Sequence, residues 1–209
     1  DEDSLPPASD WQQREGNVYT ITAPQSLEEV PATTLSSEET ETYLATDPFI
    51  TTGHERIQAF AAELTEGAAS PWERAQRIYH WTHENIEKTS VISVPNALEV
   101  LRTRQGDCNE HTILFTALAR AAGIPTRVAI GLVYGEEIGG FGYHAWPEVH
   151  VGGWIPMDPT LGQLFADATH LKLVEGSIEQ WTRLIPFIGK LRIEVLETDL
   201  PLPATATRP

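Results

Sequence analysis

The sequence predicts an α+β fold in which helices come first and a run of antiparallel strands follows. Three observations predict it. Apolar residues recur at helical spacing over about 54–65 and 71–87. A helix that begins at Cys108 meets a plain stop, with Gly123 just past its end at Ala122 and Pro125 two residues further on. Thr126 to Tyr134 then alternates as a strand, with Val128, Ile130, Leu132 and Tyr134 on one face.

Taken in order, residues 1–16 are acidic, contain Pro6-Pro7 and few apolar side chains, and read as disordered or loosely docked. Val18 to Thr22 has strand propensity. Pro24 to Pro48 is rich in Ser, Thr and Glu and reads as an extended arm over a surface. In the helix at 71–87, Trp72, Ala75, Ile78, Tyr79 and Ile86 form the apolar stripe, and Pro71 occupies a first-turn position. A short helix over about 96–103 leads through Arg104-Gln105-Gly106 to Cys108. Gly135 to Gly142 reads as a flexible loop, followed by strands at about 143–151 and 154–158, a helix near 176–186 and a strand at Leu191 to Leu196. The expected organisation is an acidic arm at 1–47, partly disordered, a catalytic domain at 48–198 and a flexible tail at 199–209.

Charge narrows the range of functions. Of the net −16, residues 1–47 contribute −10, with 11 acidic side chains against Arg14 alone. No basic stripe is present to neutralise phosphates, so nucleic acid is not an expected partner, and an anionic membrane surface is disfavoured. No apolar run reaches the ~18 residues that would span a bilayer. A chain that starts at Asp1 with no signal-like segment reads as a fragment of a longer precursor, with a periplasmic or otherwise extracytoplasmic location expected. A single cysteine, Cys108, rules out an internal disulfide framework and a CxxC site.

That cysteine lies in Gly106-Asp107-Cys108-Asn109-Glu110-His111, at the start of a helix. The positive end of a helix dipole favours an anion there, and the thiolate is the form that attacks carbonyls. A lone cysteine is more often a small buried hydrophobe, but here its neighbours are polar, and Gly106 leaves room for close approach of another backbone. Asp107 and Glu110 would oppose a thiolate unless they point away. Further on, His144 can serve as base and Asp158 as its orienter, each at the edge of a strand-like segment. On a regular strand His144, Trp146, Glu148 and His150 share a face.

The hairpin between these two residues carries a geometric condition. A two-residue turn at Gly152-Gly153 would set Asp158 opposite Pro147, about 10 Å along the strand from His144. Direct pairing of 144 with 158 centres the connection on Val151 and requires a loop of about three to five residues, or a bulge near Pro147. An oxyanion would take the Cys108 backbone N–H and a second donor, from among Gln105, Asn96 and an indole such as Trp81. Trp146 and Trp154 fit a cleft wall and core packing equally well.

Together these residues resemble the bacterial branch of the transglutaminase-like superfamily. Gly-Asp-Cys followed by a helix, the segment Ala119 to Val128, His144-Ala145-Trp146 with Glu148-Val149, Trp154, and Asp158-Pro159-Thr160 carry the resemblance, over about residues 76–162. It implies a papain-like core, with the nucleophile helix packed on an antiparallel sheet, and a catalytic triad of Cys108, His144 and Asp158 acting on peptide or glutamine amides through a thioester. It implies no cofactor, and with no calcium loop evident no calcium-activated crosslinking. The acceptor stays open: water would make the protein a cysteine peptidase or amidase, an amine a transglutaminase. The alternative is a catalytically silent module that keeps the fold and binds a peptide or protein. A zinc site combining Cys108 with His111, His144 or His150 is weaker still, since His111 is more economically explained as a support for the neighbouring loop.

Overall fold

The computed structural model describes residues 6, 8–89, 96–136, 138–176 and 189–199. At its centre is helix α5 (Cys108–Ala121), whose side chains are buried without interruption from Glu110 to Arg120. A helix buried on every side must be packed on every side. Helices α2 (Glu55–Leu64), α3 (Pro71–Asn85) and α4 (Ala97–Thr103) cover one flank of α5, and strands β5 (Thr126–Gly135) and β6 (Gly140–His150) cover the other. Ile57 and Ala61 of α2, Ala75 and Ile78 of α3 and Val100 of α4 meet Leu114, Phe115 and Leu118 of α5 in one core. The expected α+β class, with a helix on an antiparallel sheet, is what the chain forms.

The sheet is four-stranded and antiparallel, in the order β7 (Trp154–Pro156), β6, β5, β8 (His170–Gly176). Several expected elements change here. Glycines at 135, 139, 140 and 142 do not make a loose loop: β5 and β6 stay paired out to Gly135 and Gly140. The outer strand beside β5 is β8, which the sequence reading passed over. Residues 191–196, expected as a strand, carry no regular structure, and Leu191, Ile193 and Leu196 are exposed. Propensity without a partner ladder does not make a strand. The helix expected near 176–186 overlaps β8 at Gly176 and otherwise lies outside the described residues.

The N-terminal segment is more ordered than an extended arm. Strands β1 (Gln12–Glu15) and β2 (Val18–Ile21) form a hairpin. Helix α1 (Ser37–Leu44) follows, started by a capping box in which the Ser36 hydroxyl accepts the Glu39 N–H and Glu39 accepts the Ser36 N–H. The hairpin is held by side chains. Trp11 donates its indole N–H to the Trp154 carbonyl, and the Gln12 amide both donates to the carbonyl and accepts from the N–H of Lys172. Two short parallel strands, β3 (Glu87–Lys88) and β4 (Gln105–Gly106), bring the chain to Cys108. The turn between α4 and β4 places Arg104 at φ 57°, with its guanidinium 4.1 Å from the Trp81 ring centre.

Candidate active site

Cys108 occupies the first position of α5 and is partly exposed. The two acids beside it are turned onto the helix end. Asp107 caps the helix by accepting the Asn109 N–H, and Glu110 returns to accept the Asp107 N–H at 2.9 Å. Burial, and then the hydrogen bond with Asp107, push Glu110 up to about 7. At neutral pH Glu110 therefore carries only part of the negative charge expected of it. Gly106 is needed for this packing: a Cβ there would lie 2.1 Å from the Glu110 Cβ. It admits the Glu110 side chain, not a second backbone.

One turn along, the Thr112 hydroxyl donates to the Ala145 carbonyl at 3.0 Å, fixing α5 to β6 one residue past His144. His144 Nε2 is 2.6 Å from Asp158 Oδ2. That commitment leaves Nδ1 to serve Cys108, whose thiol is close enough to the imidazole to raise it. Burial alone would lower His144, but Asp158 and Cys108 outweigh it and hold the ring raised to about 9. Asp158 is fully buried, yet the two imidazoles against it keep its carboxyl well below the ordinary range. The structure thus brings Cys108, His144 and Asp158 together.

The hairpin condition is met in an unexpected way. The connection is the three-residue Val151-Gly152-Gly153, centred on Gly152, and β7 reaches along β6 only to Glu148, with one further bond from the Met157 N–H to the Pro147 carbonyl. Positions 144 and 158 do not pair directly. Asp158 has already left the strand and bridges to Gln163, and its side chain spans the remaining offset to His144.

Asp158 accepts four hydrogen bonds. Oδ1 takes the N–H groups of Thr160 and Leu161, and Oδ2 faces both His144 and His170 at 2.6 and 3.1 Å. His170 opens β8, and sequence reasoning missed it. The loop carrying Asp158 is supported by α3. His83 pairs with the Pro159 carbonyl at 2.9 Å, and burial and the Asp158 charge push Tyr79 up to about 12.

The remaining candidates fall outside this group. Asn96 is the cap of α4, its Oδ1 taken by Leu98 and Glu99 and its Nδ2 by the Pro48 carbonyl. The Gln105 amide donates to Glu87. Trp81 packs against Phe60 and Arg104, and Trp154 against Tyr43 and Arg127. Trp146 is buried and stacks behind His144, 6.2 Å between ring centres. His111 Nδ1 donates to the Asp107 carbonyl, the supporting role expected of it, and His150 is engaged by Thr33. Among the described residues the set with metal-ligand chemistry is His144, Asp158 and His170, whose donor atoms lie within 4.8 Å of one another and are joined directly by hydrogen bonds.

A thiol at a helix N-terminus, facing a histidine on an antiparallel sheet and an aspartate just beyond its edge strand, defines a class of papain-like thiol proteins. Residues 58–159, just under half of the chain, match the model of the transglutaminase-like superfamily. An uncharacterised protein of Haemophilus influenzae is 28% identical over 166 residues, covering 66% of this chain and 43% of its own. Uncharacterised YebA of Bacillus subtilis is 25% identical over 130 residues, 52% of this chain and 18% of its own, so the chain spans less than half of either relative. The crystal structure of a proposed cysteine protease from Cytophaga hutchinsonii shares the fold, with a TM-score of 0.60 at 23% identity over 68% of this chain and 48% of the other.

Proposed function

We propose that the protein is a thiol-dependent acyl-transfer enzyme acting on peptide or glutamine side-chain amides, with Cys108 as nucleophile, His144 as acid and base, and Asp158 as orienter. The observation that carries this reading is one imidazole joined on one side to a buried carboxylate at 2.6 Å and on the other to a thiol at a helix N-terminus.

In the first half-reaction Cys108 Sγ attacks the amide carbonyl carbon, and the oxygen takes the negative charge against the Cys108 N–H, which as a first-turn amide has no partner within the helix. His144 Nδ1–H protonates the leaving amine, the C–N bond breaks and a thioester remains. In the second half-reaction neutral His144 removes a proton from water or an acceptor amine, which attacks the thioester and releases the thiolate. Water gives hydrolysis and an amine gives transfer.

The test is the rate of Cys108 alkylation by iodoacetamide across pH, in the wild type and in His144→Ala. Rapid alkylation at pH 6, well below the ordinary thiol value of about 8.5, and its loss in the variant, is the expected result. Slow alkylation that rises only near that value and ignores the substitution would overturn the reading and leave a binding module.

A further inference from the structure

The acyl-transfer scheme leaves His170 unused, although it is bonded to the same carboxylate oxygen as His144. His170 Nε2 faces Asp158 Oδ2 at 3.1 Å, while its Nδ1 faces the Asp167 carbonyl at 3.1 Å and the Asp167 carboxylate at 3.3 Å. Each of these partners is an acceptor. A neutral imidazole has one N–H and one lone pair, so either neutral tautomer would aim its lone pair at an acceptor oxygen. The residue is only 5% exposed, which leaves little room for water to relieve that clash. Only the doubly protonated ring satisfies both sides.

We propose that His170 is a buried imidazolium that positions Asp158 and limits how tightly Asp158 holds the proton of His144. The proposal rests on the acyl-transfer reading of this site and deepens it. A carboxylate serving His144 alone would fix the ring but also strengthen its grip on the proton that the leaving amine must receive. A second cation on the same oxygen, with its ring centre 5.8 Å from that of His144, opposes that grip by like-charge repulsion while keeping Asp158 ionised and in place.

The surroundings fit this charge balance. Asp158 and Asp167 face His170 from the loops before β8, and His144 and the edge-on ring of Trp146 face it from β6. Tyr79 of α3 and His111 of α5 both sense the Asp158 charge. Lys172, two residues along β8, is compensated by Glu148 and Glu175 at 2.9–3.2 Å. With His144 protonated, two imidazolium groups stand against two carboxylates. His170 is raised like His144: burial acts to lower it, and the two carboxylates prevail.

The test is the pH profile of Cys108 alkylation by iodoacetate, an anionic reagent that needs the His144 imidazolium beside the thiolate, so that its alkaline limb reports loss of the His144 proton. In His170→Gln, which keeps a donor towards Asp158 but no charge, the limb is expected to move up by about one to two pH units. A limb that is unmoved or lowered, in a variant with wild-type near-UV circular dichroism, overturns the proposal. Absence of an acid-side thiolate in the wild type itself would instead defeat the acyl-transfer reading, so the two failures are distinct. Should His170→Gln not fold, nitrogen-15 spectra of the wild-type histidine rings decide: both His170 nitrogens protonated through pH 8 supports the proposal, and a neutral tautomer overturns it.

Discussion

Asp158 has no hydrogen bond left to accept at its four principal lone-pair positions. Two backbone amides hold one oxygen and two imidazoles the other. Asp158→Asn must therefore present an NH₂ group either to backbone donors or to imidazole donors, and each choice buries a donor against a donor. The expected outcome is a loss of about 3–5 kcal/mol in stability, measured by urea unfolding, together with disappearance of the acid-side thiolate in alkylation assays. The pH dependence of the wild type has a definite sign. His144 keeps its proton below a value raised to about 9, so turnover and iodoacetate alkylation are expected to fall as pH rises through about 9 and not before. At this scale the sequence was informative where a reactive residue sits beside punctuation. Cys108 follows Gly106 and opens a helix, and Asp158 precedes Pro159. His170 had no such marker, because a histidine ahead of Leu-Lys-Leu-Val looks like any strand residue and its role arises from a loop twelve positions earlier.

Among the elements, the relation of α5 to β6 sets the distance between thiol and imidazole. The Thr112 hydroxyl is the polar tie between them nearest the site. Thr112→Val keeps the shape and removes the bond. It should cost about 1 kcal/mol and slow alkylation at pH 6 while leaving the rate at pH 10 unchanged, since a free thiolate no longer needs its partner. The β5–β8 pairing depends on Gly131, where a Cβ would lie 2.0 Å from the Leu171 carbonyl oxygen, beside the register shift of that ladder. Gly131→Ala is expected to lose about 3 kcal/mol or more in urea unfolding. These devices also explain which elements could be read. α2 to α5 and β5 to β7 announce themselves through periodicity, caps and stops. β8 was passed over although Leu171 and Leu173 alternate with His170 and Lys172; what the alternation hides is that the polar face is buried as well, with Lys172 in a charge cluster with Glu148. α1 is set by one capping box inside a Ser/Thr/Glu-rich stretch that otherwise favours extended chain.

For the molecule as a whole, the N-terminal segment is bound at scattered points to the rest of the structure. Trp11 and Gln12 hold the sheet, Thr33 donates to the Gly152 carbonyl, and the Ala45 carbonyl accepts from buried Arg120. Gly153 leaves space for this path, as a Cβ there would lie 2.2 Å from the Pro31 carbonyl oxygen. Gln12→Ala strips both bonds from the Lys172 backbone, and a lowered Tm with new self-association through the uncovered β8 edge is expected in scattering measurements. The acidity of this segment was plain from composition, but its attachments were not, since each joins residues far apart in the chain. The Gln12–Lys172 contact spans 160 positions and so imposes an order on biosynthesis. Gln12 leaves the ribosome long before its partner is made, at about 5–20 residues per second. The hairpin can dock only once the other side of the sheet edge has been translated. Of the two partners in this contact, the one made earlier can form its bonds only after the later one has been made.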